Sequence, residues 1–172
     1  AAFPGAANAT GACVVTGMAA ACDLRCNANS FNLNGATSDG CEFVLDFGAI
    51  YVSGNDAAAA DDATCGVGPT GTGAGNHPCR TLAFGLTRAV NSGRPSVLVA
   101  DATYLESITI PNGKEVLGGY RSDTWERHLS TTATVIQGAQ VIGGVHEAAV
   151  VATSITAPSA ASSRISGRTG TT

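Results

Sequence analysis

The amino-acid sequence predicts an all-β fold of the solenoid type, in which each strand pairs with its equivalent one coil further along the chain. Four large apolar residues, Leu98, Leu117, Ile136 and Ile155, follow one another at intervals of 19 positions. A repeat of about 20 residues is typical of solenoids. The composition agrees, because the chain is rich in small residues and only 5% of it is aromatic. Between positions 96 and 121, three short apolar runs are separated by turn residues, and none has an obvious hairpin partner.

The expected strand pairing follows from the same interval. Val97, Val116 and Val135 keep the 19-residue spacing, and strands of neighbouring coils would lie about 4.8 Å apart. A second sheet would contain Ile110, with Leu129 as its counterpart in the next coil. An antiparallel β-sandwich also has short, regularly spaced strands and stays open as the alternative. A leucine-rich repeat is disfavoured because its L-x-x-L-x-L-x-x-N pattern is missing.

Composition and charge narrow the range of partners. The chain has 172 residues, enough for one domain or for one domain with a small module. Its net charge of −4 and its scattered basic residues give no support for nucleic-acid binding. No stretch of the sequence approaches the roughly 18 apolar residues of a membrane span. The chain begins AAFPGAANAT, without an initiator Met or a charged region, so we expect a mature product from which a signal peptide has been removed.

The six cysteines indicate an oxidising compartment, and hence a secreted or cell-surface protein. Four of them lie in residues 1–46, a segment too small for a core of its own. We expect this segment to be a cysteine-rich N-terminal module or assembly arm. Four cysteines allow three pairings, which sequence alone does not distinguish. The pairing Cys26–Cys41 is favoured, which leaves Cys13 to pair with Cys22.

Residues 47–172 form the second expected domain, which opens with a strand, a long loop and one helix. Cys65 and Cys79 bracket part of the loop, and a disulfide between them would close it at the start of the helix. In the chain-entropy model, a bridge over a loop of about 15 residues stabilises the fold by roughly 3 kcal/mol. A zinc site formed by Cys65, His77 and Cys79 is the alternative, although it lacks a fourth ligand.

The helix is predicted near residues 79–92. Leu82, Leu86, Ala89 and Val90 fall at positions i, i+4, i+7 and i+8 and form one apolar stripe. A proline shortly before this stripe and a glycine shortly after it mark the two ends. The remainder of the chain is predicted as short strands with turns between them.

The middle of the chain resembles the start of secreted right-handed parallel β-helix proteins, an uncharacterised bacterial branch of the pectate-lyase-like superfamily. The resemblance covers roughly residues 49–138 and depends on the order of its motifs. It implies a right-handed parallel β-helix whose N-terminal end is capped by the helix. The matching segments are Tyr51–Asp56, Pro78–Leu82, Val97–Tyr104, Ile108–Ile110 and Gly118–Tyr120.

The N-terminal segment resembles small cysteine-rich modules of bacterial surface proteins through NLNGATSDGCE, residues 32–42. Asn32 stands where that group has its first Asp, which is a departure from the pattern. Oxygen-bearing side chains at Asn32, Asn34, Asp39 and Glu42 flank two glycines, an arrangement suited to Ca²⁺, which takes about 6–8 oxygen ligands. The alternative is a loop of Asx turns held by a disulfide, with no metal.

Parallel β-helix enzymes that degrade polysaccharides use clustered carboxylates, often with Ca²⁺ and an Arg or Lys. The corresponding acids here are Asp101, Glu106, Glu115, Asp123, Glu126 and Glu147, and the nearby bases are Arg121 and Arg127. No two of the acids stack at the 19-residue interval, so the sequence assigns no catalytic residue. Asp101 is predicted to form a turn. Trp125 and Tyr120 could stack on a sugar, although Trp125 is better explained as a packing residue.

These observations predict a non-enzymatic, secreted or cell-surface protein with a structural or adhesive role. The chain would assemble head-to-tail with itself into a filament or belong to a longer surface protein. The alternative is a β-helix protein that degrades or binds polysaccharide. The two hypotheses differ in whether the fold brings carboxylates and a base together around a site open to a polymer.

Overall fold

A computed structural model describes residues 6–16, 19–138, 148–152 and 164–166 of the chain. The chain divides into two compact units, Ala1–Leu45 and Asp46–Thr172. The division lies one residue before the boundary expected from the sequence. The described residues contain twelve strands and one helix. These are β1 Ala9–Thr16, β2 Ala19–Cys26, β3 Ser30–Phe31, β4 Phe43–Val44, β5 Ala49–Val52, α1 Leu82–Ser92, β6 Ser96–Ala100, β7 Ala102–Leu105, β8 Ile108–Ile110, β9 Glu115–Tyr120, β10 Thr134–Gln137, β11 Val150–Ala152 and β12 Arg164–Ser166.

The first unit consists of two antiparallel strand pairs. β1 and β2 form a hairpin in which Cys13 lies directly opposite Cys22. β3 pairs with β4, so that Phe31 lies opposite Phe43. The loop between β3 and β4 contains Gly40, which adopts a φ of 96°. A side chain there would collide with the backbone of Ala7, so this close approach requires glycine.

The second unit is organised around a parallel sheet with the strand order β12-β9-β6-β5. Two further parallel pairs, β10-β7 and β11-β8, are separate small sheets. The core that these elements enclose is aliphatic, as expected for strands covered on both faces. Its fully or nearly fully buried members include Ile50, Val52, Val97, Val99 and Ile110.

The predicted solenoid, a right-handed parallel β-helix, is wrong for the part of the chain that the structure describes. The strands there form one sheet of four and four sheets of two, with one helix and no continuous coil or closed sheet. The 19-residue interval holds for a single step, in which Leu98 lies opposite Leu117. At the next step Ile136 lies opposite Tyr104 of β7. Ile155 lies outside the described residues.

The second predicted sheet fails in the same way. Ile110 lies opposite Ala152 of β11. Leu129, its expected counterpart, is in a turn and 59% exposed. Equal intervals between apolar residues therefore do not give the register here.

The chain reverses direction immediately after β9. Tyr120 forms an antiparallel bridge with Arg127, and Trp125 between them adopts a φ of 57°. The backbone N–H of Arg121 donates to the carbonyl of Glu126, and that of His128 donates to the carbonyl of Gly119. This reversal redirects the chain, so β10 lies beside β7 and not beside β9.

The helix is present and ends where its sequence signals indicate. Thr81 is the N-cap, and its hydroxyl accepts a hydrogen bond from the N–H of Phe84 at 3.3 Å. Gly93 closes the other end in the left-handed conformation, with a φ of 71°. Three of the four residues of the predicted apolar stripe are buried, whereas Val90 is 48% exposed.

The outer edge of β5 is covered by the loop that the sequence predicts to be closed by a disulfide. The N–H of Tyr51 donates to the carbonyl of Gly66 at 3.1 Å, and its own carbonyl accepts from the N–H of Cys79 at 2.9 Å. The N–H of Ser53 donates to the carbonyl of Cys79 at 2.9 Å. Arg94 donates to the carbonyl of Ala49 at 2.7 Å. An edge satisfied in this way offers no free ladder for another strand.

Candidate functional site

The six cysteines form three disulfides, Cys13–Cys22, Cys26–Cys41 and Cys65–Cys79. These are the pairs that the sequence favours. Because the sulfur atoms of Cys65 and Cys79 are bonded to each other, they are not thiolate ligands, and the alternative zinc site does not form.

His77, the third member of that zinc hypothesis, has protein partners on both ring nitrogens. Nδ1 lies 2.8 Å from the carbonyl of Gly75, and Nε2 lies 3.1 Å from a carboxylate oxygen of Asp62. A hydrogen bond from the Thr64 hydroxyl is the main cause that lowers the pKa of Asp62 to about 2. His77 therefore helps to hold the loop that covers β5.

The start of α1 is capped by two carboxylates from other parts of the chain. Both oxygens of Glu106 accept hydrogen bonds, one from the N–H of Leu82 and the other from the N–H of Ala83, each at 2.9 Å. Asp61 accepts from the N–H groups of Arg80 and Thr81, at 2.9 and 3.0 Å. The first N–H groups of a helix have no partner within the helix, and negative charge is favourable there. Glu106 is therefore a capping residue of α1.

Asp101, Arg121 and Asp123 come together around a polar pocket of about 300 Å³. Ser122, Thr131 and Thr132 complete its lining. Asp101 follows β6 and Arg121 follows β9, and the parallel pairing of these two strands places both residues at one edge of the sheet. The N–H of Asp101 donates to the carbonyl of Tyr120 at 2.7 Å, which fixes this approach.

The charged groups of this polar pocket are already engaged with one another. The guanidinium of Arg121 binds Asp123 in a bidentate pair, at 2.9 and 2.6 Å. This pair lowers the pKa of Asp123 to about 2, so the carboxyl group is ionised at neutral pH and has no proton to donate as a general acid. Asp101 accepts from the N–H of Ser122, 21 residues further along the chain, at 2.7 Å, a bond between the ends of two strands and not within a local turn. What the pocket offers a ligand is a set of hydroxyl and carboxylate groups for hydrogen bonding.

The other predicted acids lie elsewhere and have partners of their own. Glu115 accepts from the hydroxyl of Ser96 at 2.7 Å. Glu126 lies 3.3 Å from Nε2 of His128 on an exposed surface. Glu147 lies outside the described residues. Of the five acids that the structure describes, it brings two, Asp101 and Asp123, to one place.

The aromatic pair proposed for sugar stacking does not form an open platform. Trp125 is only 5% exposed, and its ring meets that of Tyr51 edge-on, with centroids 5.1 Å apart. Burial raises the pKa of Tyr51 to about 12. Tyr120 lies between Trp125 and the guanidinium of Arg127, which is 5.7 Å from its ring centre. Trp125 is a packing residue.

The proposed calcium ligands lie together in the loop between β3 and β4. The side-chain amide of Asn34 donates to Asp39 at 2.9 Å. Glu42 accepts from the N–H of Leu33 at 2.7 Å. Among the described residues, no three His, Cys, Asp or Glu side chains are grouped as metal ligands, so any cation here would depend on amide oxygens as well.

The sequence analysis did not predict two of these arrangements, the contact of Asp101 with Arg121 and the capping of α1. Asp101 and Arg121 are 20 residues apart and meet because the register shifts between Leu98 and Ala100, so the 19-residue interval did not indicate their meeting. Capping of α1 by Asp61 and Glu106 had no sequence signal, because both acids are distant from the helix in the chain.

Comparison with models of protein families, with curated proteins and with solved structures gave no match. In the described part of the chain, no helix has both the length and the apolar character needed to cross a membrane. The three disulfides are compatible with a secreted or extracellular protein.

Proposed function

We propose that this chain is a disulfide-stabilised structural module of a secreted or cell-surface protein, with an adhesive and not a catalytic role toward polysaccharide. The main support for the proposal is that the acidic side chains form hydrogen bonds and ion pairs within the protein. Glu106 caps a helix, Asp101 joins the ends of two strands and Asp123 is paired with Arg121. A carboxylic acid that protonates a glycosidic oxygen needs a raised pKa, whereas the pKa of Asp123 is lowered.

The adhesive part of the proposal is assigned to the polar pocket around Asp101 and Asp123. Ser122, Thr131 and Thr132 add neutral hydroxyl groups to its two carboxylates. Hydroxyl and carboxylate groups are suitable partners for the hydroxyls of a sugar. The pocket is compatible with one or two sugar units of a longer chain that continues across the surface.

Head-to-tail assembly, expected from the sequence, is not part of this proposal. Strand addition requires an edge with free N–H and C=O groups. The outer edge of β5 is already bonded to Gly66, Cys79 and Arg94. A disulfide-held loop in this position favours a module whose sheet edge is protected.

Incubation of the full chain with a neutral polysaccharide and with the polyanions pectin and alginate tests this function. Because the pocket holds two carboxylates and its guanidinium is already paired, we expect the protein to co-sediment with the neutral polymer and to release no new reducing ends or unsaturated products from any of the three. Asp123→Asn should weaken binding by about tenfold, the loss expected for one hydrogen bond to a charged group. Glu126→Gln, an exposed acid outside the pocket lining, is the matched control and should bind as the wild type does.

Two results would contradict the proposal. Polymer cleavage that Asp101→Asn or Asp123→Asn abolishes would show that the pocket is catalytic. Absence of binding to every polymer tested would remove the adhesive role.

A further inference from the structure

The hairpin of β1 and β2 is a two-stranded sheet with two outer edges. In the described part of the chain, no third strand belongs to this sheet. A two-stranded sheet without further support is marginally stable in water, and an outer edge offers N–H and C=O groups to any strand that can approach it. What the hairpin can bind therefore depends on how each of its edges is protected.

The register of the hairpin determines which backbone groups face outward. The Cα atoms of Cys13 and Cys22 are 3.9 Å apart, closer than the roughly 5.5 Å of a hydrogen-bonded antiparallel pair. This pair therefore exchanges no ladder hydrogen bonds. Pairs with and without such bonds alternate along the ladder, so Gly11 and Val15 direct their N–H and C=O groups away from β2.

Hydrogen bonds next to the hairpin agree with this alternation. The N–H of Asn27 donates to the carbonyl of Asn8 at 2.8 Å, so this even-numbered residue faces the β2 side. Ala7, an odd-numbered residue, faces outward. Its N–H donates to the carbonyl of Asp39 at 3.0 Å, and its carbonyl accepts from the N–H of Cys41 at 2.7 Å. These bonds occupy the outer edge just before β1 begins.

The outer edge of β2 is protected, whereas that of β1 is not. β2 contains Asp23 and Arg25, and charged residues on an edge strand hinder pairing with another strand. The outward N–H of Leu24 already donates to the carboxylate of Asp23 at 2.9 Å. β1, with the sequence ATGACVVT, has no charged residue and no proline. In the part of the chain that the structure describes, the backbone of Gly11 and Val15 has no partner on its outer side.

We propose that the outer edge of β1 pairs with β1 of a second copy of this chain, antiparallel and related by a two-fold axis. The result is a four-stranded sheet in the order β2-β1-β1-β2. Outward-facing residues recur at every second position in both copies, so their N–H and C=O groups meet in register. The uncharged strands lie at the centre, and the charged β2 strands form the two edges.

This pairing uses the same surface of both copies, so it closes into a dimer and does not propagate as a filament. Main-chain hydrogen bonds supply the attraction, as in other cases of strand addition. The dimer does not depend on the adhesive role of the second unit, and a chain that binds no polysaccharide would still form it.

Sedimentation equilibrium of the full chain tests the dimer. We expect the average mass to rise with protein concentration from 17.0 kDa toward twice that value. Val15→Pro removes an outward N–H group of β1, a position that tolerates proline in an edge strand, and should keep the chain monomeric. Ala20→Pro is the matched control, because Ala20 lies directly opposite Val15 and loses an outward N–H from the edge of β2. It should dimerise as the wild type does.

Hydrogen exchange in the wild type gives a second readout that needs no variant. Protection of the amides of Gly11 and Val15 should increase with protein concentration, whereas that of Ala20 should not change. A monomer mass at every concentration up to ~1 mM, where even a dissociation constant of that size would give a large dimer fraction, would overturn the proposal. A dimer that survives Val15→Pro, or one that Ala20→Pro abolishes equally, would also contradict it.

Discussion

Replacement of both Cys65 and Cys79 by alanine is expected to lower the free energy of unfolding of the second unit by about 3 kcal/mol. The bridge joins residues 14 positions apart, and both cysteines are fully buried. Its removal has two effects. The unfolded chain gains conformational freedom, and the folded chain loses the tie that keeps the loop along the edge of β5.

Removal of the bridge should also have a local effect, on hydrogen exchange along the edge of β5. The N–H groups of Tyr51 and Ser53 donate to Gly66 and Cys79, the residues next to or within the bridge. Without it, opening of the loop exposes these groups to solvent. Hydrogen exchange at Tyr51 and Ser53 should therefore accelerate more than exchange at the centre of the sheet.

Urea unfolding followed by the fluorescence of Trp125, the single tryptophan of the chain, measures the global effect. Thr70→Ala, an exposed position inside the same loop, is the control and should change the free energy of unfolding by less than about 0.5 kcal/mol. An unfolding midpoint of the double alanine variant equal to that of the wild type would show that the loop is held by other contacts.

Gly85→Ala in α1 is expected to destabilise the second unit by about 2 kcal/mol, although alanine is the better helix former. Gly85 is buried where the helix crosses the sheet, and a Cβ atom there would collide with Cγ2 of Val52. Val52 is itself fully buried and has no room to move away. In an exposed helix the same change would stabilise by about 1 kcal/mol, so the sign of the effect separates the two explanations.

A double-mutant cycle identifies the collision. Val52→Ala alone creates a cavity and destabilises the fold. In combination with Gly85→Ala it also removes the atom that the new Cβ meets, so the double variant should be less destabilised than the sum of the single variants. Asn91→Ala, an exposed position of the same helix, is the control and should be neutral or slightly stabilising. Additive losses in the cycle would contradict the predicted contact.

The sequence predicted those features of the fold that depend on residues close together in the chain. The helix over Leu82–Ser92 follows from its apolar stripe, the proline before it and the glycine at its end. The even cysteine count indicated disulfides, and the loop between Cys65 and Cys79 indicated the bridge that closes it, whereas the pairing of the four N-terminal cysteines was favoured but not determined. The pairing of Leu98 with Leu117 was also predicted, from the 19-residue interval between them.

The prediction of a solenoid was wrong because an interval between apolar residues carries little information about the register in which strands pair. Val or Ile occurs in most of the short strands, so equal spacings arise without equal positions in space. The decisive contacts are hydrogen bonds of a side chain and not the strand ladders. Thr134 at the start of β10 accepts from the N–H of Gly119 and donates to the carbonyls of Val99 and Ala100. Such a junction is polar and specific, and no periodic pattern predicts it.

At the candidate sites too, the sequence indicated the residues but not how they are arranged in space. The oxygen-rich loop around Glu42 was visible as a motif, but the hydrogen bonds that its four side chains form within the loop were not. Asp101 and Asp123 were visible as single acids, whereas their common pocket depends on the ends of two paired strands. Sequence therefore named the residues of both sites and did not give their arrangement.

The central claim is that the carboxylates of the second unit serve its fold, and Glu106 tests it most directly. Its carboxylate caps α1 through the N–H groups of Leu82 and Ala83. Urea unfolding of Glu106→Ala should show a free energy of unfolding lower by about 1–2 kcal/mol, the loss typical of a removed helix cap. Glu126→Ala, an exposed acid outside any cap, should unfold as the wild type does. An unfolding midpoint of Glu106→Ala equal to that of Glu126→Ala would contradict the claim.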